Sequence, residues 1–180
     1  IVDTVNAVRV NTAIFFPSFQ VMDRMTADGL HRKLGREVFF EKRSMPQDEL
    51  METFEDFSVS EGSVLFCVTG GRISEGLDFP DKALEMALIL GVPFARPTAK
   101  TKALQRYYDI RFGDGYSFVS LIPAVRRMRQ AVGRLIRSET DIGVAVVLDR
   151  RVAGLKGYDA ERSSDPVCDV AAFFAEKARF

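Results

Sequence analysis

Two glycines and two acids in one short loop are the first residues whose types could do chemistry. The loop spans residues 69–79 and follows an apolar run that predicts a buried strand. Gly70 and Gly71 let the backbone turn tightly and approach a ligand, and bare N–H groups there could hold a phosphate. Glu75 and Asp78 add carboxylates to the same loop. From this segment alone, a plain strand-to-helix turn with solvated acids is an equal alternative, because glycine-rich loops are common.

Arginines gather in a second segment, where the spacing of apolar residues predicts a helix over residues 121–137. At 3.6 residues per turn, Gln130 shares a face with Arg126, Arg127, Gly133, Arg134 and Arg137. The opposite face predicts a core stripe formed by Leu121, Val125, Met128, Val132, Leu135 and Ile136. A glycine inside a helix costs about 1 kcal/mol relative to alanine, which indicates that something packs closely against the arginine face.

The partner that suits this face is phosphate, because arginine stays charged and donates hydrogen bonds in a planar fork. No acid occurs between positions 116 and 138 to pair with the arginines. The charge pattern extends further, since ten basic residues between positions 96 and 137 are opposed only by Asp109 and Asp114. Such asymmetry is compatible with one face that meets a polyanion, although a net charge of +0 argues against a nonspecific polycation. A solvated basic face is the ordinary alternative.

The elements that would position these segments follow a βαβ pattern, in which short apolar runs alternate with amphipathic stretches. Strands are predicted at residues 12–16, 38–40, 62–69, 86–90 and 142–148, and helices at residues 19–28, 46–57, 98–112, 121–137 and 167–178. Parallel sheets of this kind bind ligands at the carboxyl ends of their strands. We therefore expect the loop that contains Ser18, the loop of residues 69–79 and the arginine helix to share one sheet edge. Residues 1–180 are expected to form a single domain.

Cysteine usage and hydropathy exclude several classes of protein. Cys67 lies in an apolar run and Cys168 stands alone, so this chain by itself makes neither a zinc site nor an iron–sulfur cluster. No apolar run is long enough to span a membrane, and no signal peptide opens the chain. A reducing compartment is expected, either the cytoplasm of a prokaryote or the nucleus of a eukaryote.

Three motifs carry a resemblance to a known family. Residues 130–137 resemble the QxxGRxxR motif VI of superfamily 2 helicases, and residues 69–79 resemble their motif V. Residues 11–20, a strand that ends in a Pro-Ser-aromatic loop, resemble motif IV. The motifs' order and the extended pattern that includes Ser138, Asp141 and Gly143 are similar to XPD and DinG helicases. The resemblance implies an α/β fold, a RecA-like three-layer sandwich with a mostly parallel central sheet.

The resemblance also implies roles on the nucleotide side. Arg134 and Arg137 would reach the β/γ-phosphates of ATP, with at least one acting as an arginine finger. Gln130 would order the attacking water or the γ-phosphate. Asp78 would bind the ribose or pair with motif VI, Glu75 would link motifs V and VI, and Gly76 would lie beside the nucleotide.

On the DNA side, the resemblance implies contacts that position one strand without reading its sequence. Ser18, Thr69, Gly70 and Gly71 would touch phosphates of single-stranded DNA. Arg72 is a further phosphate candidate, as are Lys42 and Arg43, each weighed equally against a solvated surface. Phe19 could stack on a base, although packing in the core is the commoner use of such a residue.

The phosphate loop and the acidic Mg²⁺ box of the family's first motor domain do not occur in this sequence. The chain therefore resembles the second, C-terminal motor domain of a 5′→3′ DNA helicase of the repair type. It would share ATP and Mg²⁺ with the N-terminal half of the same helicase, and the iron–sulfur cluster is implied only for that other half. Alone it is expected to be inactive. Alternatives are a non-hydrolysing nucleic-acid-binding module that keeps the fold, or another α/β nucleotide enzyme of Rossmann or flavodoxin type, which the lack of GxGxxG disfavours.

Overall fold

Five parallel strands form one sheet, in the order β2-β3-β1-β4-β5, in the computed structural model. The structure describes residues 1–77, 79–80, 83–136 and 141–177. The strands are β1 (Thr12–Phe16), β2 (Val38–Phe40), β3 (Val64–Val68), β4 (Met86–Ile89) and β5 (Val144–Val147). The five predicted strands are thus confirmed, with β3, β4 and β5 shorter than expected.

Helices cover both faces of the sheet. They are α1 (Val2–Asn6), α2 (Phe19–Ala27), α3 (Leu30–Lys33), α4 (Gln47–Val59), α5 (Arg72–Gly76), α6 (Ala99–Phe112), α7 (Ile122–Val132) and α8 (Pro166–Lys177). A π-helical turn (Ser117–Leu121) precedes α7, and a 3-10 turn (Arg150–Gly154) follows β5. Ser18 caps α2, as predicted, and Gly29 ends that region at a φ of 81°.

The core lies in two layers because successive strand residues point to opposite faces. Phe15, Leu65 and Ile89 belong to the layer that includes α4 and α7. Phe16 and Phe66 belong to the other layer, which includes α2 and α8, and their ring centroids lie 5.0 Å apart. All five residues are fully buried, as expected for a parallel sheet covered on both sides.

The arginine-rich helix ends earlier than predicted. Helix α7 stops at Val132, and Gly133 caps it with its N–H donating to the Arg129 carbonyl at 2.8 Å. The next N–H groups donate to carbonyls three residues back, as in a 3-10 helix, which is wound more tightly than an α-helix. One of these bonds runs from the Leu135 N–H to the Val132 carbonyl at 3.0 Å. The bend buries Leu135, whose side chain lies 3.2 Å from where a Cβ on Gly143 would sit. Tertiary packing of Leu135 therefore overrides the helical period beyond position 132.

Two expectations about this helix are wrong as a consequence. Gly133 is a helix cap, so it carries no helix-interior penalty, and the nearest atoms to an added Cβ are carbonyl oxygens of Arg129 and Gln130. The helix-interior argument for a closely packed group at Gly133 therefore no longer applies. The predicted core stripe holds for Val125, Met128 and Leu135, which are buried, and Leu121 and Val132 are half-buried, but Ile136 is 49% exposed.

No helix in the described part of the chain is long and apolar enough to cross a membrane. Within the same residues, no group of three or more His, Cys, Asp or Glu side chains is placed to hold a metal ion.

Candidate functional site

The loops that follow β1 and β3 lie side by side at the carboxyl edge of the sheet. Phe16 pairs with Val68 in the register, and the Thr69 N–H donates to the Phe16 carbonyl at 2.8 Å. Ser18 lies two residues beyond Phe16, where its hydroxyl accepts from the Val21 N–H at 3.4 Å. The predicted neighbourhood of the Ser18 loop and the loop of residues 69–79 is confirmed.

Residues 69–72, here named the glycine turn, already use their backbone donors within the chain. The Gly70 N–H donates to the Ser74 hydroxyl at 2.8 Å, and the Gly71 N–H donates to the Val68 carbonyl at 2.8 Å. Gly70 has a φ of 81°, which a residue with a side chain rarely adopts. The expectation that bare N–H groups of this turn receive a phosphate is therefore wrong for this conformation. The two glycines still allow a ligand to come close to the backbone of the turn, because they carry no side chains.

The hydroxyl of Thr69 has no hydrogen-bond partner in the described part of the chain, and its oxygen is buried. The residue is 6% exposed. Leaving a buried hydroxyl unpaired costs about 1–3 kcal/mol, so this group is a candidate for a partner from outside the described residues.

Arg134 joins the arginine segment to the glycine turn. Its Nε donates to the Ser74 carbonyl at 3.3 Å, and its Nη2 donates to the Glu75 carbonyl at 3.1 Å. Both carbonyls belong to the last turn of α5, where carbonyl groups lack N–H partners within the helix itself. The guanidinium thus brings the two predicted motifs into one site. Asp78 and Arg137, which were expected beside them, lie outside the described residues.

An open cleft of about 360 Å³ lies next to this junction. It is lined by Gln47, Leu50, Gly70, Gly71, Arg72, Glu75, Gly76 and Leu77. Glu75 and Gly76 are exposed at its rim. The Arg72 guanidinium lies against α4, where it donates to the Met45 carbonyl and to Gln47 Oε1. Arg72 therefore serves as a wall of the cleft in this conformation.

Other predicted residues occupy the margins of the site. Gln130 is exposed on the last turn of α7. Phe19 is half-buried against the core, with the Arg43 guanidinium 5.4 Å from its ring centroid. Lys42 pairs with Glu49 at 2.7 Å in an exposed ion pair, which is worth little stability.

Sequence reasoning missed Glu41, and it placed Arg127 on the arginine face without a specific role in the site. Arg127 extends over Gly70, since its Cδ and Nε lie 3.2 Å from where a Cβ on Gly70 would sit, and its Nη1 donates to the Pro93 carbonyl at 3.3 Å. Glu41 is 1% exposed and accepts from the N–H groups of Val68 and Arg72. Its position directly after a predicted strand, where a charge is unexpected, was the available signal.

Comparison with known proteins decides the family. The model of the helicase C-terminal domain family matches residues 1–161. The chain belongs to the helicase C-terminal domain family. This membership confirms the resemblance to helicases of the XPD/DinG type that the three motifs carried.

Relatives of this helicase domain are much longer proteins. The chain is 32% identical over 155 residues to the regulator of telomere elongation helicase 1 homolog of Drosophila sechellia. It is 30% identical over 166 residues to the protein of the same name from Oryza sativa subsp. japonica. Each match covers 77% of this chain and 16% of the relative, so the chain spans about a sixth of their length.

Two solved structures of XPD share the fold of this helicase domain. One superposes with a TM-score of 0.64 at 23% identity, over 81% of this chain and 26% of that one. The other, an apo form, has a TM-score of 0.59 at 21% identity, over 81% of this chain and 30% of that one. The predicted RecA-like fold is thus confirmed, with a sheet that is parallel at every described strand pair.

The helicase domain also exposes an aromatic and basic surface, of which sequence reasoning singled out the basic residues but not the aromatic rings. Helix α6 has no buried residue and rests on the π-helical turn through stacked rings, with Tyr108 and Phe118 centroids 5.1 Å apart. Tyr107 is 56% exposed and Ile110 is 89% exposed. Exposed basic residues accompany them on the same helix at Lys100, Lys102, Arg106 and Arg111. Apolar surface of this extent indicates a contact with another molecule or domain.

Proposed function

We propose that residues 1–180 act as the second motor domain of an ATP-driven 5′→3′ DNA helicase of the repair type. ATP and Mg²⁺ would bind between this domain and the N-terminal half of the same protein. The observation that carries the proposal is the anchoring of Arg134 on α5, which unites the two phosphate-facing motifs at the carboxyl edge of the sheet.

The nucleotide side is proposed to stabilise charge that builds on the transferred phosphoryl group. An arginine finger raises the rate of hydrolysis by a factor of roughly 10³ to 10⁵, because its charge stabilises the transition state more than the ground state. The contacts would come from Glu75, Gly76, Asp78, Gln130, Arg134 and Arg137.

The DNA side is proposed to hold phosphates of one strand. Thr69 supports this role most directly, because its buried hydroxyl has no partner among the described residues. Ser18 lies beside it on the neighbouring loop, and Arg127 places a guanidinium over the turn. The remaining contacts would come from Phe19, Gly70, Gly71 and Arg72. The aromatic and basic surface of α6 suits an extension of the strand, since bases stack on exposed rings.

Two substitutions in the full-length protein separate these roles. Arg137→Ala is expected to lower DNA-stimulated ATP hydrolysis by about 10² or more, with single-strand affinity near wild type. Ser18→Ala is expected to weaken DNA binding slightly, by about 1 kcal/mol, and to leave DNA-free ATPase unchanged. Arg32→Ala on α3, an exposed arginine outside the site, is the matched control.

Steady-state ATPase assays and binding titrations at fixed salt measure both effects. Loss of DNA affinity with full turnover in Arg137→Ala would show that the arginine segment contacts DNA, and the finger role would be abandoned. Strong DNA binding by the full-length protein without any ATP hydrolysis would favour the non-hydrolysing module instead.

A further inference from the structure

A buried carboxylate lies beneath the glycine turn, and none of the contacts proposed above uses it. Glu41 Oε1 accepts from the Arg72 N–H at 2.9 Å, and Oε2 accepts from the Val68 N–H at 3.0 Å. The Glu41 N–H in turn donates to the Phe66 carbonyl at 2.8 Å, which fixes its backbone to β3. One side chain thus holds the chain on both sides of the turn.

The shape of the turn fits the carboxylate closely. A Cβ on Gly71 would lie 2.6 Å and 2.7 Å from the two Glu41 oxygens, so only glycine leaves room for them. The same Cβ would lie 2.9 Å from the Val68 carbonyl oxygen. Position 71 therefore requires a glycine because of the carboxylate and the turn together.

Burying a carboxylate is costly unless hydrogen bonds satisfy it, and bonds from N–H groups to a charged oxygen are stronger than neutral ones. Glu41 is 1% exposed, and the N–H groups of Val68 and Arg72 are its hydrogen-bond donors among the described residues. The carboxylate also lies close enough to Cys67 to add to the effect of burial, which raises the pKa of that thiol well above its usual value. An apolar side chain would fill this space without such cost, so we infer that the carboxylate serves to bind the N–H groups on both sides of the turn.

We propose that Glu41 is a positioning residue for the proposed contact between the Thr69 hydroxyl and a DNA phosphate. The carboxylate sets the backbone from Val68 to Arg72, and with it the hydroxyl of Thr69, which has no partner among the described residues. A contact held in place before binding spends less free energy on ordering when the ligand arrives. The proposal rests on the proposed function, since it needs the turn to bind single-stranded DNA.

The test uses Glu41→Gln in the full-length protein, with DNA-stimulated ATPase as the readout. Glutamine keeps the shape and one acceptor oxygen, but its NH₂ group is a donor and cannot accept a hydrogen bond from the second backbone N–H. The single-stranded DNA concentration for half-maximal stimulation should rise about tenfold, with the turnover at saturating DNA within about twofold of wild type. Glu61→Gln, at an exposed glutamate, is the matched control and should change neither value.

A double-mutant cycle distinguishes positioning from general support of the fold. If Glu41 acts through Thr69, then Thr69→Val raises the half-saturating DNA concentration less in the Glu41→Gln background than in wild type. Turnover that falls in step with the folded fraction, while the half-saturating concentration stays constant, would overturn the positioning role.

Failure of the wild-type protein to show any DNA-stimulated ATPase would overturn the proposed function and this inference together. Normal stimulation with an unshifted Glu41→Gln variant would overturn this inference alone. If Glu41→Gln does not fold, hydrogen exchange on wild type decides: slow exchange at the Arg72 amide, comparable with the amide of Phe66 inside β3, supports the Glu41 hydrogen bond to Arg72. Exchange at Arg72 as fast as an exposed loop would overturn it.

Discussion

Asn11 ties together three segments at the amino edge of the sheet, and its replacement tests how that edge is held. The residue is 5% exposed. Its Nδ2 donates to the carbonyls of Ser60 at 2.9 Å and Ala83 at 3.3 Å, and its Oδ1 accepts from the Ser63 N–H at 3.1 Å. The segment before β1 is thereby joined to the segments that precede β3 and β4.

Asn11→Ala removes the partner of one N–H and two carbonyl groups. An unsatisfied buried donor costs about 1–3 kcal/mol, and each lost carbonyl contact adds less, because water entering the vacated space recovers part of it. We expect a total loss of about 3 kcal/mol in the free energy of unfolding. For a domain of this size, that loss lowers Tm by about 6–12 °C.

Urea denaturation and thermal melting of the 180-residue chain measure this loss. Asn6→Ala, at an exposed asparagine in α1, is the matched control and should stay within about 0.5 kcal/mol of wild type. At neutral pH, Asn11→Asp should lower the free energy of unfolding more than Asn11→Ala does, because a buried carboxylate would face the carbonyls of Ser60 and Ala83. Burial and these oxygens would raise the folded-state pKa of the new Asp, so its destabilisation should shrink as pH falls through that pKa. A loss below about 1 kcal/mol for Asn11→Ala would refute the reasoning.

Three further predictions concern acid stability, activity and thiol reactivity. Hydrogen bonds from Arg151, and from the Val92 N–H, hold the pKa of Asp149 well below its usual range. Asp149→Asn should therefore destabilise the domain at pH 7, as measured by urea denaturation. The difference in the free energy of unfolding between wild type and variant should narrow only below about pH 4, as pH falls toward the folded-state pKa. An equal difference at pH 2 and pH 7 would contradict this. The isolated chain should show no DNA-stimulated ATPase in a phosphate-release assay, and clear turnover would overturn the motif assignments. Ellman's reagent should label exposed Cys168 in the folded chain and reach buried Cys67 only on unfolding. Asp165→Asn should speed the labelling of Cys168, because the hydrogen bond with Asp165 raises the pKa of that thiol.

Local sequence signals were enough to predict the sheet. The apolar runs at Thr12–Phe16 and Val38–Phe40 match the observed strands residue for residue. Alternation of such runs with amphipathic segments leaves few arrangements other than a parallel sheet covered by helices. The shared edge of the Ser18 loop and the glycine turn followed from the same rule, because parallel strands place their carboxyl ends together.

The course of the arginine segment could not be predicted in this way. Periodicity favoured one helix over residues 121–137, whereas the chain leaves α7 at Gly133 so that Leu135 can pack beside Gly143. That contact joins residues that no local pattern relates. It also places the Arg134 guanidinium on the carbonyls of α5, a position that a continuous helix does not specify.

By itself, the amino-acid sequence determined the order of the strands and helices along the chain, the identity of the three motifs and the absence of a phosphate loop from this chain. These depend on residue type and short-range spacing. Only the tertiary structure decided that Glu41 holds the glycine turn, that the Gly70 and Gly71 N–H groups are already donated, and that the Thr69 hydroxyl is left without a partner among the described residues. The physical reason is that whether a buried polar group has a hydrogen-bond partner depends on the whole fold. Each donor and acceptor finds its partner across segments distant in sequence, and burial makes every unpaired group costly.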